Sequence, residues 1–181
     1  SLDDVYRLLT LTLLDRGLKV EALGVWEDYL RHQDQMIELA VPPVRAVSPL
    51  LEVTFVRLDG RYGRWIRRGA RIDFTWLALS EDELRRNSRV FRRACLDPNR
   101  PPADSRAATA LLWANLIGPL ELGSSAGIAF RLDGDLIGLP LHALPMPSGL
   151  PLLSMLPVIY RESSQHNARP FAPLLARGTL V

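Results

Sequence analysis

The hydrophobic positions of the first forty residues recur at helical spacing, which predicts two consecutive helices. Ser1 caps the first helix through Asp4, and Gly17 ends it. The predicted apolar face of this helix consists of Val5, Leu8, Leu9, Thr12 and Leu13. The second helix runs from about Lys19 to Leu39, with one side formed by Val20, Leu23, Trp26, Leu30 and Ile37. The pair is either an antiparallel helical hairpin or the end of a helical array, and its boundary is marked by Pro42, Pro43 and Pro49.

From Leu50 onward the hydrophobic period changes to two, which is typical of strands buried on one side. A first strand alternates at Leu51, Val53 and Phe55. Asp59-Gly60 predicts a turn, residues 64–67 a return strand, and Gly69 a second turn. A third strand alternates at Ile72, Phe74 and Trp76. The pattern therefore predicts a three-stranded antiparallel meander.

Two more helices and two more strands follow. Ser80 with Glu83 forms a capping box that begins a helix over residues 80–95, and another helix spans residues 104–117. A strand at residues 128–132 meets the turn Asp133-Gly134, which predicts a short hairpin leading into an apolar hook, residues 133–145. Residues 154–161 predict a last strand. We expect an α/β protein: a helical lead-in over 1–45, then a mixed sheet with flanking helices over 46–181. One core should bury Trp76, Phe91, Trp113 and Phe130.

Composition excludes some classes of protein and leaves others open. The chain has 181 residues, is 48% hydrophobic and carries a net charge of +2, which suits a folded domain with a packed core. No segment has the apolar length of a membrane span, and one cysteine permits no internal disulfide, so we expect a cytoplasmic protein. The basic residues are almost all arginines, and two groups of them, residues 57–71 and 85–93, predict solvated faces rather than a nucleic-acid surface.

Residue types that carry chemistry are sparse. Cys95 shares a helix stripe with Leu84 and Phe91, which predicts a buried structural thiol. Residues 123–127 spell the G-x-S-x-G pattern, but a helix precedes them and a strand follows, the reverse of a nucleophile elbow. The three histidines, at positions 32, 142 and 166, have no metal-ligand spacing, and the one in the hook is typical of a structural imidazole. We therefore predict no catalytic residue, no cofactor-binding residue and no metal ligand in this chain.

The order of the elements and the hook sequence resemble the N-terminal half of a CHAT domain, a caspase-like and separase-related cysteine peptidase module often found behind TPR-type repeats. The first matching segment contains Leu112, Leu116, Ile117, Pro119 and Leu120. The most specific segment contains Asp133, Gly134, Leu136, Leu139, Pro140, Ala143 and Leu144, and the third Val158, Tyr160 and Ser163. The sequence departs from the pattern at Leu141, where an aromatic is common, and at Arg161-Glu162.

This resemblance implies that the hook is scaffold and that the catalytic histidine and cysteine follow Val181. The chain alone would then be non-catalytic, and it would need its missing C-terminal half or a second chain that carries the dyad. The last residues, 178–181, predict the start of a strand, in line with a fragment. Two alternatives stay open: a stand-alone module that docks a protein partner, including through the helical lead-in, and an arginine-mediated nucleic-acid binder. We expect no membrane partner.

Overall fold

The computed structural model describes residues 1–34, 50–97, 103–123 and 125–161. Two helices, α1 (Leu2–Asp15) and α2 (Lys19–Asp34), form the predicted hairpin. The capping box of Ser1 and Asp4 is present, and Gly17 adopts a positive φ of 75° directly after the helix. The predicted continuation of α2 to residue 39 and the three boundary prolines lie outside the described residues.

The meander consists of β1 (Leu51–Leu58), β2 (Arg61–Arg68) and β3 (Arg71–Trp76), joined by tight turns as predicted. Two helices follow, α3 (Glu81–Leu96) and α4 (Ala103–Leu112), and α4 runs on into a π-helix over Trp113–Ile117. Strands β4 (Ile128–Arg131) and β5 (Val158–Tyr160) complete the sheet. β4 pairs with β1 and β5 pairs with β4, both in parallel, and the strand order is β3-β2-β1-β4-β5. The predicted mixed α/β architecture is confirmed.

The Asp133-Gly134 turn does not reverse a hairpin, so that part of the prediction was wrong. The chain enters a short 3-10 helix at Gly134–Leu136, and a second one follows at Leu141–Ala143. The predicted strand over 154–161 is also shorter, because a third 3-10 turn occupies Leu152–Ser154. Pro140 lacks the N–H that a ladder requires, which favours a short turn over strand pairing there, and Pro145 and Pro151 face each other in an isolated antiparallel bridge.

The sheet has a separate core on each face, because successive strand residues point to opposite sides. The hook and the α3–α4 side cover one face, where the buried residues include Phe55, Phe91, Phe130 and Leu144. The helical hairpin covers the other face, where Trp26 and Tyr29 pack with residues such as Trp65. The expectation of one core was therefore wrong: Phe91, Phe130 and Trp113 lie on the first face and Trp76 on the second, with both tryptophans only partly buried.

The predicted apolar face of α1 was wrong except at Leu13, which packs against the buried residues on the hairpin side of the sheet. Val5, Leu8 and Leu9 are 61%, 66% and 45% exposed. The side of α1 that faces the protein instead carries Tyr6, Arg7, Thr10 and Leu14. Arg7 faces inward because a buried carboxylate binds it, as described below.

Candidate functional site

Charged side chains gather at the carboxyl ends of the parallel strands β1 and β4. In open α/β sheets this edge is where ligands usually bind, near the point where the strand order reverses. The group, here called the Asp133 cluster, consists of Arg7, Arg57, Arg85, Arg92, Asp133 and Asp135. These residues come from α1, β1, α3 and the hook, and they line a cavity of about 460 Å³.

Asp133 is the centre of this cluster. The residue is 8% exposed, and Arg7 donates to both of its carboxylate oxygens, through Nη1 at 2.9 Å and Nη2 at 3.3 Å. The backbone N–H of Arg57 donates to the same carboxylate at 2.8 Å. Arg7 also donates to Asp3 and lies over the Trp26 ring at 5.0 Å. Burial opposes the charge on Arg7, but its bonds to Asp133 and Asp3 outweigh that effect and raise its pKa.

Asp135 connects the hook to α3 and β2. Its backbone N–H donates to the hydroxyl oxygen of Tyr62 at 2.7 Å, and Arg85 Nε donates to its carboxylate at 3.2 Å. Arg92 Nη2 donates to the backbone oxygens of Asp135 and Ile137, at 2.6 and 2.8 Å. Burial raises the pKa of Tyr62 to about 12, so its phenol is neutral at physiological pH.

The cluster has four guanidinium groups and two carboxylates, and two neighbouring carboxylates balance its charge. Its four guanidinium groups face Asp133 and Asp135, together with Asp3 on α1 and Glu81 on α3, which pairs with Arg57 and Arg85. The described residues that line the cavity include no serine, cysteine or histidine that would act as a nucleophile or base. These ion pairs and hydrogen bonds fix the conformation of the first residues of the hook, so the cluster has the chemistry of a structural site. Sequence reasoning identified Asp133-Gly134 but missed the arginines that bind it, because Arg7 lies 126 positions away.

The histidine in the hook, for which we predict a structural role, contacts β5 through Tyr160. The backbone N–H of His142 donates to Tyr160 Oη at 2.9 Å, and its Nδ1 lies 3.1 Å from the same oxygen. The two rings also meet edge to face. This contact ties the hook to β5, and burial raises the pKa of Tyr160. His32 hydrogen-bonds within α2 to the backbone oxygen of Asp28, and position 166 lies outside the described residues.

The buried thiol predicted at Cys95 was wrong. Cys95 is exposed in the last turn of α3, and the neighbouring Leu96 is 83% exposed. The buried stripe of α3 consists of Leu84, Ser88 and Phe91, and it ends one turn earlier. Desolvation by nearby atoms raises the pKa of the Cys95 thiol, which disfavours the reactive thiolate. No histidine of the described ranges hydrogen-bonds to it. Around the G-x-S-x-G pattern, the described residues form a loop before β4.

The two arginine groups are not uniform solvated faces. In the first group, Arg64 is only 4% exposed, Arg57 and Arg67 form ion pairs, and Arg61 stacks on Trp76. In the second group, Arg85 and Arg92 bind the hook, whereas Arg86, Arg89 and Arg93 are exposed. Most of these side chains therefore organise the fold. Within the described ranges, no set of three or more His, Cys, Asp or Glu side chains is arranged for a metal ion.

Comparisons with known proteins give no relative: no family model, no curated protein and no solved structure matches the chain. The class of the protein is therefore defined by its architecture alone: a mixed α/β sheet with the Asp133 cluster at the carboxyl ends of its parallel strands. None of the described helices is both long enough and apolar enough to cross a membrane.

Proposed function

We propose that this chain is the N-terminal, scaffold-forming part of a CHAT-type, caspase-like cysteine peptidase, and that it hydrolyses no peptide by itself. One observation carries the proposal, namely the way in which the segment of greatest resemblance is folded. The hook connects the parallel strands β4 and β5, and its leucines at positions 136, 139, 141 and 144 are at most 1% exposed. A segment buried to this extent supplies core and strand placement.

The proposal places further strands at the β5 edge of the sheet. Within the described ranges, no strand pairs with the outer edge of β5. A further parallel strand at this edge would end beside Tyr160 and His142, at the sheet edge where α/β proteins place their reacting groups. A cysteine peptidase needs a thiolate next to an imidazole that accepts and returns its proton. A cysteine–histidine dyad on such strands would lie beside a sheet edge whose position the hook already fixes.

The test compares three proteins in a peptide-hydrolysis assay: the whole reading frame that encodes these residues, the same protein with Cys95→Ser, and residues 1–181 alone. We expect the first two to turn over substrate at rates within about twofold, because Cys95 is an exposed thiol with a raised pKa that has no imidazole partner within the described ranges. We expect no turnover by residues 1–181. An irreversible cysteine-directed peptidyl inhibitor, followed by peptide mapping, identifies the nucleophile.

Two results would contradict the proposal. The first is loss of turnover in a Cys95→Ser protein whose circular dichroism spectrum is unchanged. The second is a reading frame, with its co-purifying partners, that supplies no further cysteine and histidine.

A second candidate function is a stand-alone module that docks a protein partner at the β5 side. The observation that favours it is a set of exposed apolar side chains on β5 and in the segment before it: Leu150, Leu153, Met155 and Ile159, each at least 40% exposed. Unpaired strand edges with apolar neighbours favour association by strand addition. A partner that binds the chain and loses affinity with Ile159→Pro, while contributing no peptidase activity, would favour this function over the scaffold.

A further inference from the structure

The exposed side of α1 is apolar where a surface helix is normally polar. Its exposed residues include Leu2, Val5, Leu8, Leu9 and Thr12, here called the α1 seam. The opposite side of the same helix already packs on the protein through Tyr6, Thr10 and Leu14. The seam is therefore a second apolar face, and no residue within the described ranges covers it.

The spacing of the seam is that of a helix-packing interface. Leu2, Val5, Leu9 and Thr12 follow one another at intervals of three, four and three residues, the a and d positions of a heptad, and Leu8 falls at the adjoining g position. Arg7, which binds Asp133, falls at position f on the far side of the helix. The two faces of α1 are thus separate, and occupation of the seam leaves the Asp133 cluster intact.

We propose that the α1 seam is a self-association surface, and that its occupant is α1 of a second copy of this chain, packed antiparallel about a two-fold axis. In that arrangement Val5 of each copy faces Leu9 of the other, and Leu2 faces Thr12, so each a and d position of the seam meets a partner. The seam contains no charged side chain, so a second copy brings no like-charge repulsion into its centre. This inference does not depend on the proposed peptidase scaffold.

The area of the seam is consistent with a dimer of modest affinity. From the exposed fractions of its four aliphatic side chains, roughly 400 Å² of apolar surface lies open per chain, the size at which an exposed patch commonly marks a binding site. Two copies with their flanking polar atoms would bury roughly 1,000 Å² in total, the lower end of specific interfaces. We therefore expect a reversible equilibrium at micromolar concentrations.

Sedimentation equilibrium of residues 1–181, over about 1 to 200 µM, measures this equilibrium. The variant Val5→Glu/Leu9→Glu should weaken association at least tenfold, because it places four carboxylates in the apolar interface of the dimer. The matched control is Val20→Glu/Leu96→Glu, which changes two apolar side chains outside α1 that are 52% and 83% exposed, and it should leave association unchanged. Thermal unfolding followed by circular dichroism verifies that both variants fold.

The orientation of the helices is tested by cross-linking in a Cys95→Ser background. With Val5→Cys and Leu9→Cys together, oxidation should join position 5 of one copy to position 9 of the other, which peptide mapping identifies. If the protein stays monomeric throughout the concentration range, the proposal is wrong. The α1 seam would then bind a helix of another polypeptide. Equal weakening by both glutamate pairs, or weakening by the control pair alone, would also overturn it.

Discussion

Asp133 shows how one carboxylate connects distant parts of the chain. Its oxygens accept two hydrogen bonds from Arg7 of α1 and one from the backbone of Arg57 in β1, and its side chain is 12% exposed. Hydrogen bonds between a guanidinium and a carboxylate are stronger than neutral ones, and loss of one partner leaves the other charge poorly solvated. The stability of the fold should therefore depend on this charge.

We expect Asp133→Asn to lower the free energy of unfolding by about 2 to 3 kcal/mol, because it removes the charge but keeps the size of the side chain. The control is Asp82→Asn, at a carboxylate that is 87% exposed, which should change the free energy by less than about 0.5 kcal/mol. Urea unfolding of the two variants measures the difference. Equal effects of the two substitutions would show that the cluster does not hold the hook.

Gly134 follows Asp133 with a φ of 59°, and a Cβ built on it would lie 2.4 Å from Tyr62 Oη. Gly138 has a φ of 73° with open space around it. We expect Gly138→Ala to destabilise by about 1 kcal/mol through backbone strain alone. Gly134→Ala carries the same strain and a clash, and we expect a loss of about 2 to 4 kcal/mol. Thermal unfolding distinguishes the two, and a loss no larger at position 134 would contradict the tight contact.

Cys95 shows where a pattern within one helix fails. Its spacing from Leu84 and Phe91 is correct for a single stripe, and the same stripe does bury both of those residues. The last turn of α3 is nevertheless exposed, because the helix extends beyond the core on which it packs. The sequence of a helix does not indicate where that core ends. The periodicity predicted the face correctly and could not predict its length.

A buried arginine binds the π-helix that follows α4. Arg64 of β2 is 4% exposed and forms no ion pair within the described ranges, and burial lowers its pKa. Its Nη1 donates to the backbone oxygens of Asn115 and Leu116, at 3.0 and 3.1 Å. A π-turn and a helix end both leave carbonyl oxygens without a helical partner, and the negative end of the helix dipole favours a cation there.

Two substitutions at Arg64 should separate packing from charge. Arg64→Ala leaves a cavity and two unpaired carbonyl oxygens, so we expect a loss of about 2 to 4 kcal/mol. Arg64→Met fills the volume and removes a poorly solvated charge, which offsets the lost hydrogen bonds, so we expect a change of about 1 kcal/mol or less. Chemical unfolding measures both, with Arg86→Ala as the exposed control. A methionine variant as unstable as the alanine variant would show that the hydrogen bonds dominate.

The sequence was most informative where structure is local. The capping pairs at Ser1 and Ser80 gave the helix starts, and Asp59-Gly60 gave the first turn of the meander. It failed on α1, because this helix has apolar residues on both sides and the side that packs is selected by Asp133. Contacts between residues so far apart in the sequence produce no periodic pattern of hydrophobic positions. The same reason explains why the arginines of the candidate site were taken for surface residues.

The described part of the chain forms one sheet covered on both faces, and the helical hairpin covers one of them. Trp26 and Tyr29 of α2 are buried with Val56, Leu58 and Trp65 of the sheet, and Trp65 Nε1 donates to the backbone oxygen of Lys19 at 3.0 Å. The sequence placed a boundary between the lead-in, residues 1–45, and the sheet, residues 46–181. A shared core of this kind favours one cooperative unit, since neither part excludes water from its apolar face alone.

We expect Trp26→Ala to lower the free energy of unfolding by about 3 to 5 kcal/mol, because it opens a large cavity between the hairpin and the sheet. Unfolding of the full chain should be a single transition, with the same midpoint by helical circular dichroism and by tryptophan fluorescence. Residues 46–181 alone should aggregate or unfold, because Val56, Leu58 and Trp65 would face water. Tyr6→Ala, on the partly buried edge of the same cluster, is the milder control. A truncated protein that stays monomeric with a native-like spectrum, or two separate transitions in the full chain, would show that the hairpin is an independent unit.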